Sequence, residues 1–172
     1  MKKNYHGAKN LGQKKKTFDK KSELKIAGVN CVLKAFEKRP KEMIRLYLTS
    51  AKIKEFKPLT EYCVKNKLAY QVVTNEELDT ITSSTHHEGV CALFKRPKIL
   101  SLNEYLKNKK DKDLILSIVG VKNPHNIGPI MRICAHFGVN TIFFDSNSPV
   151  FSASAYRTSE GGAEALSFVQ IQ

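Results

Sequence analysis

Asn126 and Arg132 stand six residues apart in the run NPHNIGPIMRICAHFG (residues 123–138), with Gly128 between them. An arginine stays charged and presents a planar fork of donors. Its natural chemistry is to hold a phosphate or an oxygen that gains negative charge during a reaction. An asparagine close by can orient a substrate or that arginine. Both residues also have plain readings: a charged side chain on the wet face of a helix, and a helix N-cap. The pair His86-His87 followed by Glu88 raises metal binding, but adjacent histidines leading into a strand diverge to opposite faces, and no third ligand has compatible spacing. No metal is expected. The sequence has no Gly-x-Gly-x-x-Gly run and no Gly-Lys-Ser/Thr phosphate loop.

The elements that position these residues can be read from periodicity. With Asn126 as N-cap, Pro129 falls at the third helical position, where it removes no intrahelical bond. Ile127, Ile130, Met131, Ile133, Cys134 and Phe137 then form one apolar face, Gly138 ends the helix, and Arg132 points away from that face. The apolar run LILSIVG ahead of it reads as a parallel strand covered on both sides. TIFFD, SASAYRTSEGGAEAL and SFVQI continue the alternation as strand, helix and strand. Upstream, GVNCVLKAFEKRP, KEFKPLTEYCVKNK and NEELDTIT read as helices, the last capped by Asn75. IRLYLT, AYQVVT and GVCALFK read as strands. KRPKIL looks like a linker, and SLNEYLKNKKDK a helix opened by a Ser101/Glu104 capping box. The fold class is therefore α/β, in two units. Residues 1–22 read as a flexible basic tail, and the expected division of the rest is 23–97 as a first domain, 98–112 as a linker helix and 113–172 as a second α/β unit.

The formal charge of +13 is unevenly spread: +7 in residues 1–22, +7 in 23–112 and −1 in 113–172. A basic tail and a basic first domain attract polyanions through counterion release, which points to nucleic acid. Lys14, Lys15 and Lys16 in the tail, with Arg39, Arg45 and Arg157, are the expected phosphate contacts, and His86 and His87 are read as RNA contacts or loop residues. Cys31, Cys63, Cys91 and Cys134 form no Cys-x-x-Cys pair, which excludes a zinc ribbon and fits a reducing, cytoplasmic setting. No stretch has the length and apolarity of a membrane span, and the N-terminal lysines precede no apolar signal core.

The run VGVKNPHNIGPIMRICAHFGVNTIFF resembles the first signature motif of the SpoU-type (TrmH-like) RNA 2′-O-ribose methyltransferases of the SPOUT superfamily. Pro124, Asn126, Gly128, Arg132 and the helix end at Phe137-Gly138 carry the match, and His136 is its evident departure. YRTSEGGAEAL resembles the family's Ser-x-Gly-Ala segment at Ser159, Gly161 or Gly162, and Ala163. Residues 23–97, through KIAGVNCVLKAF and THHEGVCAL, resemble its ribosomal-protein-like substrate-binding domain. The resemblance implies methylation of tRNA or rRNA with S-adenosylmethionine as cofactor. It implies an α/β knot domain, a homodimer, Arg132 and Asn126 as catalytic residues, and Ser159 near the RNA. The family's later motifs, a Gly-Ser-Glu-Gly-like loop and a Ser-Leu-Asn segment, have no counterpart here. Cofactor-binding residues are thus expected beyond Gln172, with little activity in this chain alone. The alternative is a non-catalytic RNA-binding protein built on the ribosomal-protein-like module.

Overall fold

Glu23-Leu-Lys-Ile-Ala27 alternates partly and fully buried side chains as far as Ile26 and forms strand β1 (Glu23–Ala27). The structure, a computed structural model, describes residues 22–171; Lys14, Lys15 and Lys16 lie outside them. Helix α1 (Val29–Lys38) buries Cys31, Val32 and Ala35, leaving Leu33 at the surface. Strand β2 (Met43–Leu48), helix α2 (Lys57–Lys65), strand β3 (Ala69–Val72), helix α3 (Asn75–Thr82) and strand β4 (Val90–Lys95) complete a mixed sheet of order β1-β4-β2-β3. β4 runs antiparallel to both neighbours, and β2 pairs β3 in parallel. The cap of α3 is Thr74, not Asn75: its hydroxyl accepts from Glu77 N–H while the Glu77 carboxylate accepts from Thr74 N–H. Threonine ahead of the first turn, with glutamate three residues on, satisfies two orphan donors that Asn75 cannot.

Residues 98–112 do more than link. Strand β5 (Ile99–Ser101) pairs in parallel with strand β8 (Ser167–Ile171) and so joins the second sheet. Helix α4 (Leu102–Asn108) follows, then strand β6 (Ile115–Ser117), helix α5 (Pro124–His136), strand β7 (Thr141–Asp145) and helix α6 (Ala153–Thr158). The sheet is parallel throughout, of order β5-β8-β7-β6. The apolar β6 is not covered on both faces: it is an edge strand, and Leu114, Ile115, Leu116 and Val119 are exposed. A run of apolar residues reports that a strand avoids water somewhere, not which element covers it.

The capping box of α4 is present as expected: Ser101 accepts from Glu104 N–H at 3.2 Å, and the Glu104 carboxylate accepts from Ser101 N–H at 2.9 Å. That amide, together with Lys98, holds the Glu104 carboxyl down at about 2, against an ordinary 4.5. A depressed folded-state value stabilises above the ordinary value, and the contribution is lost as pH falls from about 4.5 through about 2. Glu104→Gln should therefore flatten the acid limb of a urea-midpoint-against-pH curve in that window. Superimposable limbs for both proteins would show that the box contributes nothing.

Candidate functional site

Arg132 lines a groove between α1 and α5. The helix that carries it begins earlier than its sequence pattern suggests. Asn123 is the N-cap, its side-chain oxygen accepting from His125 N–H at 2.9 Å, and Pro124 takes the first position, where its missing N–H is harmless. Asn126 is therefore inside the first turn, and exposed. Pro129 is interior, so the bond its amide would give to the carbonyl of His125 is missing.

The buried face of α5 is rotated from the expected one. Ile127, Gly128, Met131 and Cys134 are buried, whereas Ile133 and Phe137 are exposed. The reason is what packs on the Gly128 side. A Cβ there would lie 1.8 Å from Thr158 Oγ1 and 2.6 Å from the Ala155 carbonyl oxygen, so α6 rests directly on the α5 backbone. One turn further on, a 3₁₀ turn (Gly162–Ala165) does the same: a Cβ on Gly162 would come within 2.8 Å of Arg132 Cα. Gly161, at φ 85°, meets α1 on the other side, where a Cβ would stand 2.8 Å from Lys34 Cβ. The Glu-Gly-Gly sequence is thus a wedge between α1 and α5, as only residues without side chains permit such approach and such φ.

The groove, about 680 Å³, is lined by Asn30, Leu33 and Lys34 from α1, by Arg132 and Phe137 at α5, and by the wedge. Its anions are committed. Glu37 pairs with Lys34 at 2.9 Å, and Glu160 accepts from Asn30 Nδ2 at 3.0 Å. The Arg132 side chain is exposed and makes no hydrogen bond or ion pair among the described residues. Its five donors remain available to an anion. Asn126 lies six residues before it, about 9 Å along the axis and about 240° around it, so the two do not share a face. Among the described residues no group of three or more His, Cys, Asp or Glu could hold a metal.

Three residues expected to contact RNA are bonded within the protein. Ser159 is fully buried, donating to the Tyr156 carbonyl at 2.7 Å, which ends α6 where the wedge begins. His87 is buried. Its Nδ1 accepts from Gly89 N–H at 2.9 Å, so the proton resides on Nε2, which donates to Asp79 Oδ1 at 2.9 Å. Arg39 is held by Glu164 and Glu42 over the Phe94 ring, and its donors face protein. Protein partners hold these groups here, and a short polar segment beside a basic domain reads alike whether it meets RNA or satisfies a neighbouring element. Glu88, in the same segment as His87, accepts from Val29 N–H at 2.7 Å and caps α1, whose preceding residue, Gly28, has no side chain to do so. His86 is exposed, Arg157 is half-buried on α6, and half-buried Arg45 donates to Tyr47 Oη at 3.1 Å. Nothing local in the sequence marks Asn30, Lys34, Glu160 or Glu164, because each meets a segment more than a hundred positions away.

All four cysteines are free and buried. Burial pushes the Cys31 and Cys91 thiols up to about 12 and that of Cys63 to about 11, so they behave as core residues rather than nucleophiles. No helix among the described residues is long and apolar enough to cross a membrane.

Comparison with known proteins bears on the whole arrangement. Residues 25–100 match the family model for RNA 2′-O ribose methyltransferase substrate binding, and residues 113–172 match that of the SpoU rRNA methylase family. An uncharacterized tRNA/rRNA methyltransferase of Haemophilus influenzae is 37% identical over 142 residues, 83% of this chain and 40% of that protein. The 23S rRNA (guanosine-2′-O-)-methyltransferase RlmB of Shewanella oneidensis is 30% identical over 151 residues, 85% of this chain and 61% of the relative. The chain thus covers less than two thirds of the length of either relative. The crystal structure of an AdoMet-bound rRNA methyltransferase from Sinorhizobium meliloti superposes with a TM-score of 0.70 at 17% identity, over 86% of this chain and 54% of that one. At that identity the likeness concerns the fold, an α/β architecture shared with SpoU enzymes. With one module of the family matching the first sheet and its helices, and the other matching the parallel sheet that carries Arg132, the chain belongs to the SpoU RNA 2′-O-ribose methyltransferase family.

Proposed function

We propose that the protein takes part in 2′-O-methylation of ribose in tRNA or rRNA, with S-adenosylmethionine as methyl donor. The observation that carries this reading is the uncommitted guanidinium of Arg132 in a groove built jointly by both modules. A ribose 2′-hydroxyl is a poor nucleophile and must be aligned and partly deprotonated to accept a methyl group. Arg132, facing the groove, donates to the adjacent phosphate and to the 2′-oxygen as its charge develops. Asn126, on another face of the helix, orients the substrate rather than the arginine. His86, Arg45, Arg157 and the tail lysines supply the phosphate contacts that hold the RNA in register.

S-adenosylmethionine as cofactor is supported by the AdoMet bound to the S. meliloti neighbour and to the SpoU methyltransferase AviRb of Streptomyces viridochromogenes. The described residues do not by themselves fit the whole of that molecule. The groove is open, and its uncommitted charge is positive, which disfavours a sulfonium. The carboxylate at the end of β7, Asp145, is taken by the N–H groups of Gly120 at 2.7 Å and Asn147 at 2.9 Å, which hold its pKa below the usual range. The same observation favours a second reading, an RNA-binding protein without catalysis. Homodimerisation belongs to the proposal, supported by the apolar Leu114, Ile115 and Leu116 left exposed at edge strand β6, as does a reducing cytoplasmic setting, supported by the free cysteines.

RNA binding is tested by its salt dependence. Removing residues 1–22, which carry a charge of +7, should weaken binding to an in vitro transcribed rRNA hairpin most at low salt. The slope of log K against log salt should flatten by about 0.7–0.9 for every phosphate that the tail neutralises. Equal slopes with and without the tail would remove it from the RNA-binding surface, and no measurable binding by the intact chain would defeat the proposal.

A further inference from the structure

Arg39 closes α1 and reaches across to the second module. Its Nε and Nη2 donate to the two oxygens of the Glu164 carboxylate at 2.7 and 3.0 Å, and Nη1 donates to Glu42 at 2.8 Å. The side chains are sheltered, that of Arg39 at 12% exposure and that of Glu164 at 4%. The guanidinium lies 5.0 Å above the Phe94 ring. Every part of this clamp except Glu164 belongs to the substrate-binding module.

Glu164 is two residues beyond Gly162, the residue pressed against the Arg132 backbone, and three beyond Gly161, pressed against Lys34. Asn30 holds Glu160 at the other end of the same turn. The turn therefore touches α1 and α5 at once, and the forked pair draws it into place. A buried ion pair adds little net stability over an apolar pair of equal volume, because desolvation offsets attraction. A two-pronged fork is directional, however, and fixes distance and plane together. The apolar packing beside it, where Cys31 and Tyr156 share one core cluster, has no such direction.

We infer that Arg39 and Glu164 are positioning residues, which hold the substrate-binding module at one fixed orientation to the helix carrying Arg132, so that bound RNA is presented to that arginine rather than sampled by a swinging domain. The presentation rests on the functional reading above; the fixed orientation does not.

Two measurements on the intact chain separate them. Spin labels on cysteines introduced at Val64 and Leu106, exposed positions in the two modules, report the inter-module distance, the four native thiols being buried. The native pair should give one narrow distance distribution. Glu164→Gln and Arg39→Lys, which keep volume but lose the fork, should broaden it. In parallel, p-benzoylphenylalanine in place of Phe137, exposed in the groove, is photo-crosslinked to a bound rRNA hairpin. One crosslinked nucleotide is expected in the native background. In Glu164→Gln that single position should be lost or spread over many, with RNA affinity unchanged, a result that loss of stability alone would not produce. A narrow distribution in both variants, or an unaltered crosslink, overturns the inference. If the chain bound no RNA, the functional reading would fall while the spin-label distances still decided the orientation.

Discussion

Arg132→Ala should lower the single-turnover rate of RNA ribose methylation by about two to three orders of magnitude, the usual effect of removing one donor aimed at developing charge. The assay belongs in a chain extended to the full length of the relatives, with RNA and S-adenosylmethionine saturating so that chemistry is separated from binding. Folding should hardly notice: the side chain is exposed and makes no hydrogen bond or ion pair among the described residues, so stability should stay within about 0.5 kcal/mol. Arg132→Lys should recover little, because an ammonium cannot reproduce a planar fork across a phosphate and a ribose oxygen. If Arg132 is an ordinary solvated cation, both variants will react at the native rate. That outcome would remove Arg132 from the chemistry and leave it a solvated surface residue.

Gly128→Ala should do the reverse, damaging the fold first. In an isolated helix the change would gain about 1 kcal/mol from alanine's propensity. Here the new methyl would stand 1.8 Å from Thr158 Oγ1 and 2.6 Å from the Ala155 carbonyl oxygen. The threonine hydroxyl can rotate away, but the carbonyl is backbone, so α5 and α6 must separate. Overpacking of this kind costs about 3 kcal/mol at the upper end of its range, which outweighs the propensity gain and leaves a net loss of about 2 kcal/mol. The denaturant midpoint measures it. Thr158→Ala in the same chain should recover only part of the loss, since the Ala155 oxygen stays. A Gly128→Ala protein as stable as the native one would mean that the helices do not touch at this point.

Both substitutions sit on α5, where local pattern and tertiary packing part company. Helices α1, α2 and α5, strands β2, β4, β7 and β8, and the Ser101/Glu104 box are legible in sequence because each depends on residues within a few positions of one another. So is the exposure of Arg132. The pattern puts the cap of α3 one residue late and that of α5 three residues late, because Asn75 and Asn126 are good caps in isolation and only backbone geometry chooses among neighbouring candidates. β1 is missed although Leu24 and Ile26 alternate with Glu23 and Lys25, because it follows directly on the basic run of the tail.

What the sequence by itself determined is the α/β alternation, the basic front of the chain, and the motif that places an arginine on a helix behind a parallel strand. These follow from local periodicity and from charge, which do not need a partner to be recognised. Tertiary structure alone decided which of the polar residues face solvent. It placed Arg39, His87 and Ser159 in a clamp, a turn and a helix end, and it left β6 at an edge where its composition suggested the middle of a sheet. The physical reason is that a hydrogen-bonding group is satisfied equally by water, RNA or a distant segment of its own chain. Arg39 meets Glu164, and Asn30 meets Glu160, only after the two units have packed against one another through α1 and α6.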